Sequence, residues 1–275
     1  MNKERADKVL VEKGLAESRQ KAQALIMAGQ VFIKDRRIEK AGQLIDLDSE
    51  IAVQMPLPFV GRGGLKLAEA LDTFHVSVEG KIAADIGSST GGFTDCLLQR
   101  GALKVYAVDV ETKQLDRRLR DDPRVVIIEK NARDLGAADF ADMLDLATMD
   151  VSFISILKIL PAVKNILESF RATDRTLDRR PALLLSLLKP QFEVGKGQVG
   201  KKGIVRDPAL HEQVLQKITA EAARLGFNLR GLMKCSVRGQ KGNREFFGLW
   251  DLGGLPASGR DVLKWIKEVA RDEKN

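Results

Sequence analysis

A glycine-rich string at the junction of an apolar run and a helical segment constrains the fold of this chain more than any other feature. It reads Asp85-Ile86-Gly87-Ser88-Ser89-Thr90-Gly91-Gly92-Phe93 and follows the apolar run 82–86. Glycine lets a backbone approach a ligand closely, and the amides at a helix start receive polar groups. The string is not GxGxxG, because Ser89 stands where the second dinucleotide glycine belongs, and no GKS or GKT follows to make a P-loop. Asp109 ends the next apolar run, Val105-Tyr106-Ala107-Val108-Asp109, 22 residues beyond Gly87. A carboxylate at that strand end can accept both hydroxyls of a cofactor ribose. String and carboxylate together favour a nucleoside cofactor, S-adenosylmethionine ahead of a nicotinamide, with ligand-free structural turns as the remaining reading. Asp85 either orients the loop or caps the strand end.

The pattern around this junction alternates as an α/β unit requires. A helical period at 65–74 is followed by strand-like runs at 82–86, 105–109, 125–128, 144–150 and 183–188, separated by helical or mixed segments. Apolar strands with intervening helices predict a mainly parallel sheet covered on both faces. An amphipathic helix at 208–225, strands at 227–236 and 245–251, and a last helix at 260–271 complete the series. Upstream lies a smaller pattern. A helix is expected over 5–13 with Val9 and Leu10 inward, stopped by Gly14. Ser18 caps a second helix, whose Ala22, Leu25 and Ile26 stripe runs beside Arg19 and Lys21 and ends at Gly29. Short strands follow at 31–33 and within 44–53, around a Lys34-Asp35-Arg36-Arg37 turn. Pro56 and Pro58 mark a linker. The expected organisation is a small α+β domain over 1–55, a linker over 56–64 and an α/β domain over 65–275.

Charge narrows the partners. The 275 residues carry a formal charge of +7, which favours polyanions. Up to residue 40, ten Lys or Arg face six Asp or Glu, so the two-helix part is the more positive face, or simply a solvated surface. The charged N-terminal residues lack the apolar core of a signal peptide, and no apolar stretch is long enough to span a bilayer as a helix. The expectation is a cytoplasmic protein without a membrane partner. Cys96 and Cys235 are distant and His75 and His211 lack ligand spacing, so reduced thiols, structural histidines and no metal are expected.

Four polar strings remain: Arg62-Gly63-Gly64-Leu65-Lys66-Leu67, Asp150-Val151-Ser152-Phe153, Lys189-Pro190-Gln191-Phe192-Glu193 and Asn243-Arg244-Glu245-Phe246-Phe247. Three of them fall near the carboxyl edge of a parallel sheet, where doubly wound enzymes bind ligands. Taken singly, their charged residues read more readily as surface ion pairs or caps than as catalytic groups. Taken with Gly14-Leu15-Ala16-Glu17-Ser18-Arg19, with the helix 22–29 and with DxGxxxGGF, they make the chain resemble one family along nearly its whole length. That family is the hemolysin A-like (TlyA) ribosomal RNA 2'-O-methyltransferases, which join an S4-like RNA-binding domain to an FtsJ-like, or RrmJ-like, methyltransferase domain.

The resemblance implies a Rossmann-like class I methyltransferase domain behind a small α+β S4-like domain. It implies a catalytic Lys66, Asp150, Lys189 and Glu245, with Lys189 central, and S-adenosylmethionine held by Asp85, Gly87, Ser88, Ser89, Thr90, Gly91, Gly92, Phe93 and Asp109. RNA contacts fall on Arg5, Arg19, Lys21, Arg62, Lys196, Lys201 and Lys202. The implied reaction is ribose 2'-O-methylation of ribosomal RNA at cytidine, on a subunit or ribosome. Met149, Gly61 and Glu111-Thr112-Lys113 depart from the family pattern, while all four catalytic candidates are retained.

The chemistry is self-consistent. A ribose hydroxyl attacks poorly until its proton has a destination, which a neutral Lys189 provides while Asp150 and Glu245 hold the lysines and Lys66 stabilises developing oxyanion charge. The residues alone leave the protonation state of Lys189 open. The Gly195–Gly203 stretch reads as a phosphate clamp or a solvated loop, and Arg171, Arg175, Arg179 and Arg180 as charged surface or RNA contacts. Phe153 and Phe192 read as base-stacking groups or pocket packing. Ser152 lacks a nucleophile-elbow context. The rival reading is a non-catalytic RNA-binding or assembly protein; a small-molecule methyltransferase leaves the S4-like domain unexplained, and a pore lacks a membrane span.

Overall fold

The computed structural model describes residues 3–34, 36–53, 57–169, 182–195, 197–200, 203–254 and 256–271. Its contacts divide the chain into two compact units, Met1–Leu57 and Pro58–Asn275.

The first unit opens with a strand, β1 (Lys3–Arg5), ahead of α1 (Ala6–Glu12) and α2 (Arg19–Met27). The strands β2 (Val31–Ile33), β3 (Arg36–Arg37), β4 (Leu44–Asp46) and β5 (Ile51–Val53) follow. Ser18 caps α2 by accepting the Lys21 amide. β1 pairs antiparallel with β4, and β2 lies between β3 and β5. Arg5, expected at the start of a helix, therefore stands on a strand. The core gathers Val9, Leu10, Ala22, Ile26, Val31, Ile38 and Ile45. Buried among these apolar groups is Asp7. It accepts two hydrogen bonds from Arg5 at 3.0 Å, one from Arg19 at 3.2 Å and one from Gln23 at 2.9 Å. The Arg5 guanidinium, with Gln23 and Arg19, holds the Asp7 carboxyl far below the usual carboxylate range.

The second unit runs α3 (Arg62–Thr73), β6 (Ile82–Ile86), α4 (Gly92–Gln99), β7 (Lys104–Asp109), α5 (Arg117–Arg120), β8 (Val125–Glu129) and β9 (Leu146–Met149). It continues with α6 (Leu160–Ser169), β10 (Ala182–Leu188), α7 (Pro190–Glu193), α8 (Pro208–Arg224), β11 (Phe227–Lys234), β12 (Phe246–Leu252) and α9 (Gly259–Ala270). Seven strands form one sheet in the order β11-β12-β10-β9-β6-β7-β8, in which β12 alone is reversed. Alternate strand residues feed two cores. Ala83, Val105, Ala107, Leu185 and Phe247 face α3 and α4, while Ala84, Tyr106, Val108, Leu184 and Trp250 face α6, α8 and α9. Coverage of both faces explains why β10 reads as a continuous apolar run.

The chain leaves β6 towards β7 and β8, then returns to β9 and β10 on the other side. The carboxyl ends of β6 and β9 thus form the switch point where such sheets bind ligands.

One boundary differs from expectation. Residues 62–64, read as linker, are the first turn of α3. The glycines that signalled a loop are instead required for packing: a Cβ on Gly64 would collide with the Phe59 ring, and one on Gly63 would stand 3.3 Å from Phe93. Ahead of them, the Val60 amide donates to Asp95 at 2.8 Å and the Pro58 carbonyl accepts from Gln99 at 2.9 Å, which ties this segment to α4. Among the described residues no helix is long and apolar enough to cross a membrane. The strongly amphipathic α9 packs Val262, Trp265, Ile266 and Val269 against the core.

Candidate active site

Sheet register brings the polar strings together. Ile86 pairs with Met149, which sets Gly87 beside Asp150; Leu188 pairs with Phe246, which sets Lys189 beside Glu245. Because β12 is reversed, its first residues lie at the same edge as the carboxyl ends of β6, β9 and β10. Glu245 reaches the site for that reason.

Two ion pairs occupy this edge. Lys189 Nζ stands 2.6 Å from Asp150 Oδ1 and donates to Ser152 Oγ at 2.8 Å. Lys66, from α3, stands 2.5 Å from Glu245 Oε2, and Gln191 donates to the other oxygen of Glu245 at 3.1 Å. The side chains of the Lys66–Glu245 pair are 9% and 4% exposed, against 12% and 22% for Lys189 and Asp150. All four candidate catalytic residues therefore enter one cluster of two pairs. Ser152 and Gln191 belong to it as well, although sequence reasoning assigned neither a role. Their signal was position: each stands two residues beyond a charged residue at a strand end.

Below the cluster, Glu193 is buried and accepts from Ser155 Oγ at 2.6 Å and the Ile156 amide at 2.8 Å. Burial pushes its carboxyl up, opposed by those two hydrogen bonds. It fixes the turn that follows Asp150. At that turn Phe153 adopts a left-handed φ of 63° with its ring 88% exposed. The ring lies 5.0 Å from that of Phe192, over which Lys189 Nζ sits at 5.9 Å. A non-glycine residue in this conformation costs on the order of 1–3 kcal/mol, a strain that clusters at functional sites.

The glycine string wraps the end of β6 beside this cluster. Gly87 and Gly91 have φ of 87° and 97°. A Cβ on Gly87 would collide with the Asp150 carbonyl oxygen, so glycine is needed both for conformation and for approach to β9. The amides of Gly87 and Ser88 donate to the Val108 carbonyl at 2.9 and 3.0 Å. Asp109 accepts the Ser89 amide at 2.9 Å on one oxygen and the Glu111 amide at 3.1 Å on the other. Each oxygen is thereby fixed yet keeps acceptor capacity, which fits a vicinal diol. Gly87, Ser89, Thr90 and Asp109 make an edge suited to a nucleoside, with Ser88, Gly91 and Gly92 buried behind it.

Two residues expected on the cofactor lie beneath this edge instead. Asp85 is fully buried, accepting from Thr94 at 2.7 Å and Thr148 at 3.3 Å. It therefore ties β6 to α4 and β9. Burial raises its carboxyl to about 7 against the Thr94 hydrogen bond, and the charge of Asp150 adds to the rise. Phe93, 3% exposed, stacks on Phe247 at 5.7 Å and is core. Apolar surface at a helix start follows the core when the helix packs on a sheet.

Of the RNA-contact candidates, Arg5 and Arg19 are bound to Asp7, with side chains 41% and 53% exposed, and Lys21 is exposed on α2. Arg62 is exposed in the first turn of α3. Lys196, Lys201 and Lys202, with Arg171, Arg175, Arg179 and Arg180, lie outside the described residues. Both cysteines are free and buried; burial pushes the Cys96 thiol up to about 12 and holds that of Cys235 higher still.

Comparison with known proteins agrees with this geometry. Residues 59–251 match the FtsJ-like methyltransferase model, and residues 4–51 match the S4 domain model. The chain is 49% identical over 247 residues to YqxC of Bacillus subtilis (strain 168), which carries an rRNA methyltransferase name, covering 89% of this chain and 84% of that one. It is 41% identical over 249 residues to the 16S/23S rRNA (cytidine-2'-O)-methyltransferase TlyA of Mycobacterium tuberculosis (strain ATCC 25618 / H37Rv), covering 90% and 88%. A solved structure from Streptococcus thermophilus that carries a hemolysin name superposes with a TM-score of 0.72 at 43% identity, over 98% of this chain and 95% of that one. With a catalytic-domain match over most of its length and an S4 match ahead of it, the chain belongs to the FtsJ-like methyltransferase family, in the TlyA group of rRNA methyltransferases that carry an S4 domain.

Proposed function

We propose that this protein methylates a ribose 2'-hydroxyl of ribosomal RNA, at cytidine, using S-adenosylmethionine. The observation that carries the reading is the pair of lysine–carboxylate contacts, Lys189–Asp150 at 2.6 Å and Lys66–Glu245 at 2.5 Å, at one sheet edge beside the Gly87–Asp109 nucleoside site. The cytidine and the ribose position are those in the name of the Mycobacterium tuberculosis relative. An rRNA substrate presented on a ribosomal subunit suits an S4 domain, with Arg5, Arg19, Lys21 and Arg62 as RNA contacts.

S-adenosylmethionine supplies a methyl carbon made electrophilic by its sulfonium. This chain's residues handle the hydroxyl. To act as the base, Lys189 first has to release the ammonium proton it carries in its pair with Asp150; Nζ would then take up the hydroxyl proton as the ribose oxygen accepts the methyl group that S-adenosylmethionine would supply. Asp150 faces the resulting ammonium, and Ser152 Oγ fixes its direction. Lys66, held by Glu245, offers positive charge to the oxygen while its proton leaves. Gln191 Oε1 is buried without a hydrogen-bond partner among the described residues, an acceptor that a substrate hydroxyl or amino group fills. The Phe153–Phe192 pair offers a face for the base of the target nucleotide, which must leave its stack to bring the ribose to Lys189.

The test is transfer of labelled methyl from S-adenosylmethionine to undermodified ribosomal RNA, isolated subunits and ribosomes, with ribose-specific mapping. Transfer to one ribose, lost in Lys189→Ala while S-adenosylmethionine binding persists, is the expected result. Cofactor and RNA binding without transfer to any of these substrates would leave a non-catalytic RNA-binding protein.

A further inference from the structure

The segment that delivers Glu245 to the cluster also walls a second cleft. This cleft has a volume of about 380 Å³ and is lined by Arg206, Arg238, Lys241 and Arg244, with His211 and Val205 among its other walls. No Asp or Glu is among the described residues that line it. Three of these cations, Arg206, Arg238 and Lys241, are exposed along one concavity, which raises its potential and favours an anion.

The cleft has a fixed frame. Asn243, 3% exposed, donates to the Gly203 carbonyl at 2.9 Å and accepts the Val205 amide at 3.0 Å, clipping the segment ahead of α8 to the turn ahead of β12. Within that turn the Gly239 amide donates to the Asn243 carbonyl at 3.0 Å and the Gly242 amide to the Gly239 carbonyl at 2.8 Å. Arg238 donates to the Gly242 carbonyl at 3.3 Å. His211, 1% exposed, bonds through Nε2 to the Val205 carbonyl at 3.1 Å and meets the Phe246 ring edge-on at 5.5 Å. Arg206, Arg238 and Lys241 stand exposed on this frame.

The turn belongs to both sites. A Cβ on Gly239 would collide with the Glu245 carboxylate, so the backbone that presents Arg238 and Lys241 lies directly against the partner of Lys66. The turn that carries Arg238 and Lys241 to the cleft is thus the one that packs on the Glu245 carboxylate.

We infer that this cleft binds a backbone phosphate of the RNA near the target nucleotide. The inference rests on the reading of the chain as an RNA methyltransferase and adds to it a phosphate subsite in the catalytic unit. Guanidinium groups match phosphate oxygens in pairs, and such contacts set register without reading sequence. A phosphate held there fixes the strand on the Glu245 side of the cluster.

The experiment compares the full-length chain with Arg206→Ala, Arg238→Ala and Lys241→Ala, singly and combined, leaving Arg244 in place beside Glu245. The readouts are affinity for undermodified ribosomal RNA across a salt series, the KM for that RNA against kcat, S-adenosylmethionine affinity and thermal stability. The triple variant removes one phosphate contact, so the steepness of log K against log salt falls by about 0.7–0.9 and RNA binds roughly fivefold more weakly at moderate salt. The expected pattern is a raised KM with unchanged S-adenosylmethionine affinity and stability, and recovery in the charge-conserving set Arg206→Lys, Arg238→Lys and Lys241→Arg. Unchanged affinity and salt dependence would overturn the inference. So would a loss of affinity that the charge-conserving set fails to restore. If the wild-type chain binds RNA but methylates none, the proposed reaction fails, and the salt dependence still decides the cleft.

Discussion

Glu245→Ala and Lys189→Ala are expected to abolish methyl transfer alike yet to differ sharply in stability. In Glu245→Ala the Lys66 ammonium stays 9% exposed with its carboxylate gone. Removing one partner of a buried pair costs about 3–5 kcal/mol, because the remaining charge is neither paired nor hydrated. For a unit of this size each kcal/mol lowers the midpoint by about 2–4 °C, so a fall of roughly 6–20 °C is expected. In Lys189→Ala the residual charge is Asp150, whose side chain is 22% exposed while its Oδ1 is buried. A pair more open to water costs less to break than the Lys66–Glu245 pair, so a smaller fall in the midpoint is expected. The assay is thermal unfolding of the 58–275 transition in the full chain, with S-adenosylmethionine affinity showing that the nucleoside site persists. The double substitution Lys66→Met with Glu245→Leu removes both charges, so it should recover most of the lost stability and no activity. Equal losses in the two single variants, or a Glu245→Ala protein as stable as wild type, would refute the assignment of different burial to the two pairs.

Two further outcomes follow from the glycine edge and the carboxylate beneath it. The Asp85 carboxyl, raised to about 7, keeps its proton in the folded state while the unfolded chain releases it near 4. Between those values stability falls as pH rises, by at most about 1.4 kcal/mol per pH unit, whereas below the unfolded pKa neither state differs. Urea midpoints across pH 4.5–7.5 should lose this slope in Asp85→Asn, and an identical slope in the variant would count against the assignment. Gly87→Ala, with φ of 87° and a collision with the Asp150 carbonyl, should weaken S-adenosylmethionine at least about tenfold by calorimetry. Gly80→Ala, with φ of 68° and open space around its Cβ, serves as the control that loses about 1–2 kcal/mol of stability and no cofactor affinity.

Much of the fold was legible because its signals are local. Apolar runs mark β6, β7, β8 and β10 wherever a strand is covered on both faces, and Ser18 caps α2 through its own side chain. The misread positions are those where a local signal had a distant cause. Gly63 and Gly64 looked like linker and are helix, because Phe59 and Phe93 need the space. Asp85 and Phe93 belong to the glycine string read as the cofactor site, and one is sealed by Thr94 and Thr148 and the other by Phe247. Strand β1 escaped notice because its three residues pair with β4, some forty positions on.

The sequence by itself determined the candidates: the glycine string with Asp109, the four charged residues, and the family whose pattern they carry. Chemistry of this kind depends on residue type and on spacing within a short segment, and both are written in the chain. Tertiary structure decided the pairing. Lys189 took Asp150 and Lys66 took Glu245, across 39 and 179 positions, because parallel register set β6, β9 and β10 side by side and the reversal of β12 turned its start to the same edge. It also decided burial, and so which carboxylates stand at the open sheet edge and which hold the frame, since desolvation is a property of the neighbours that packing supplies.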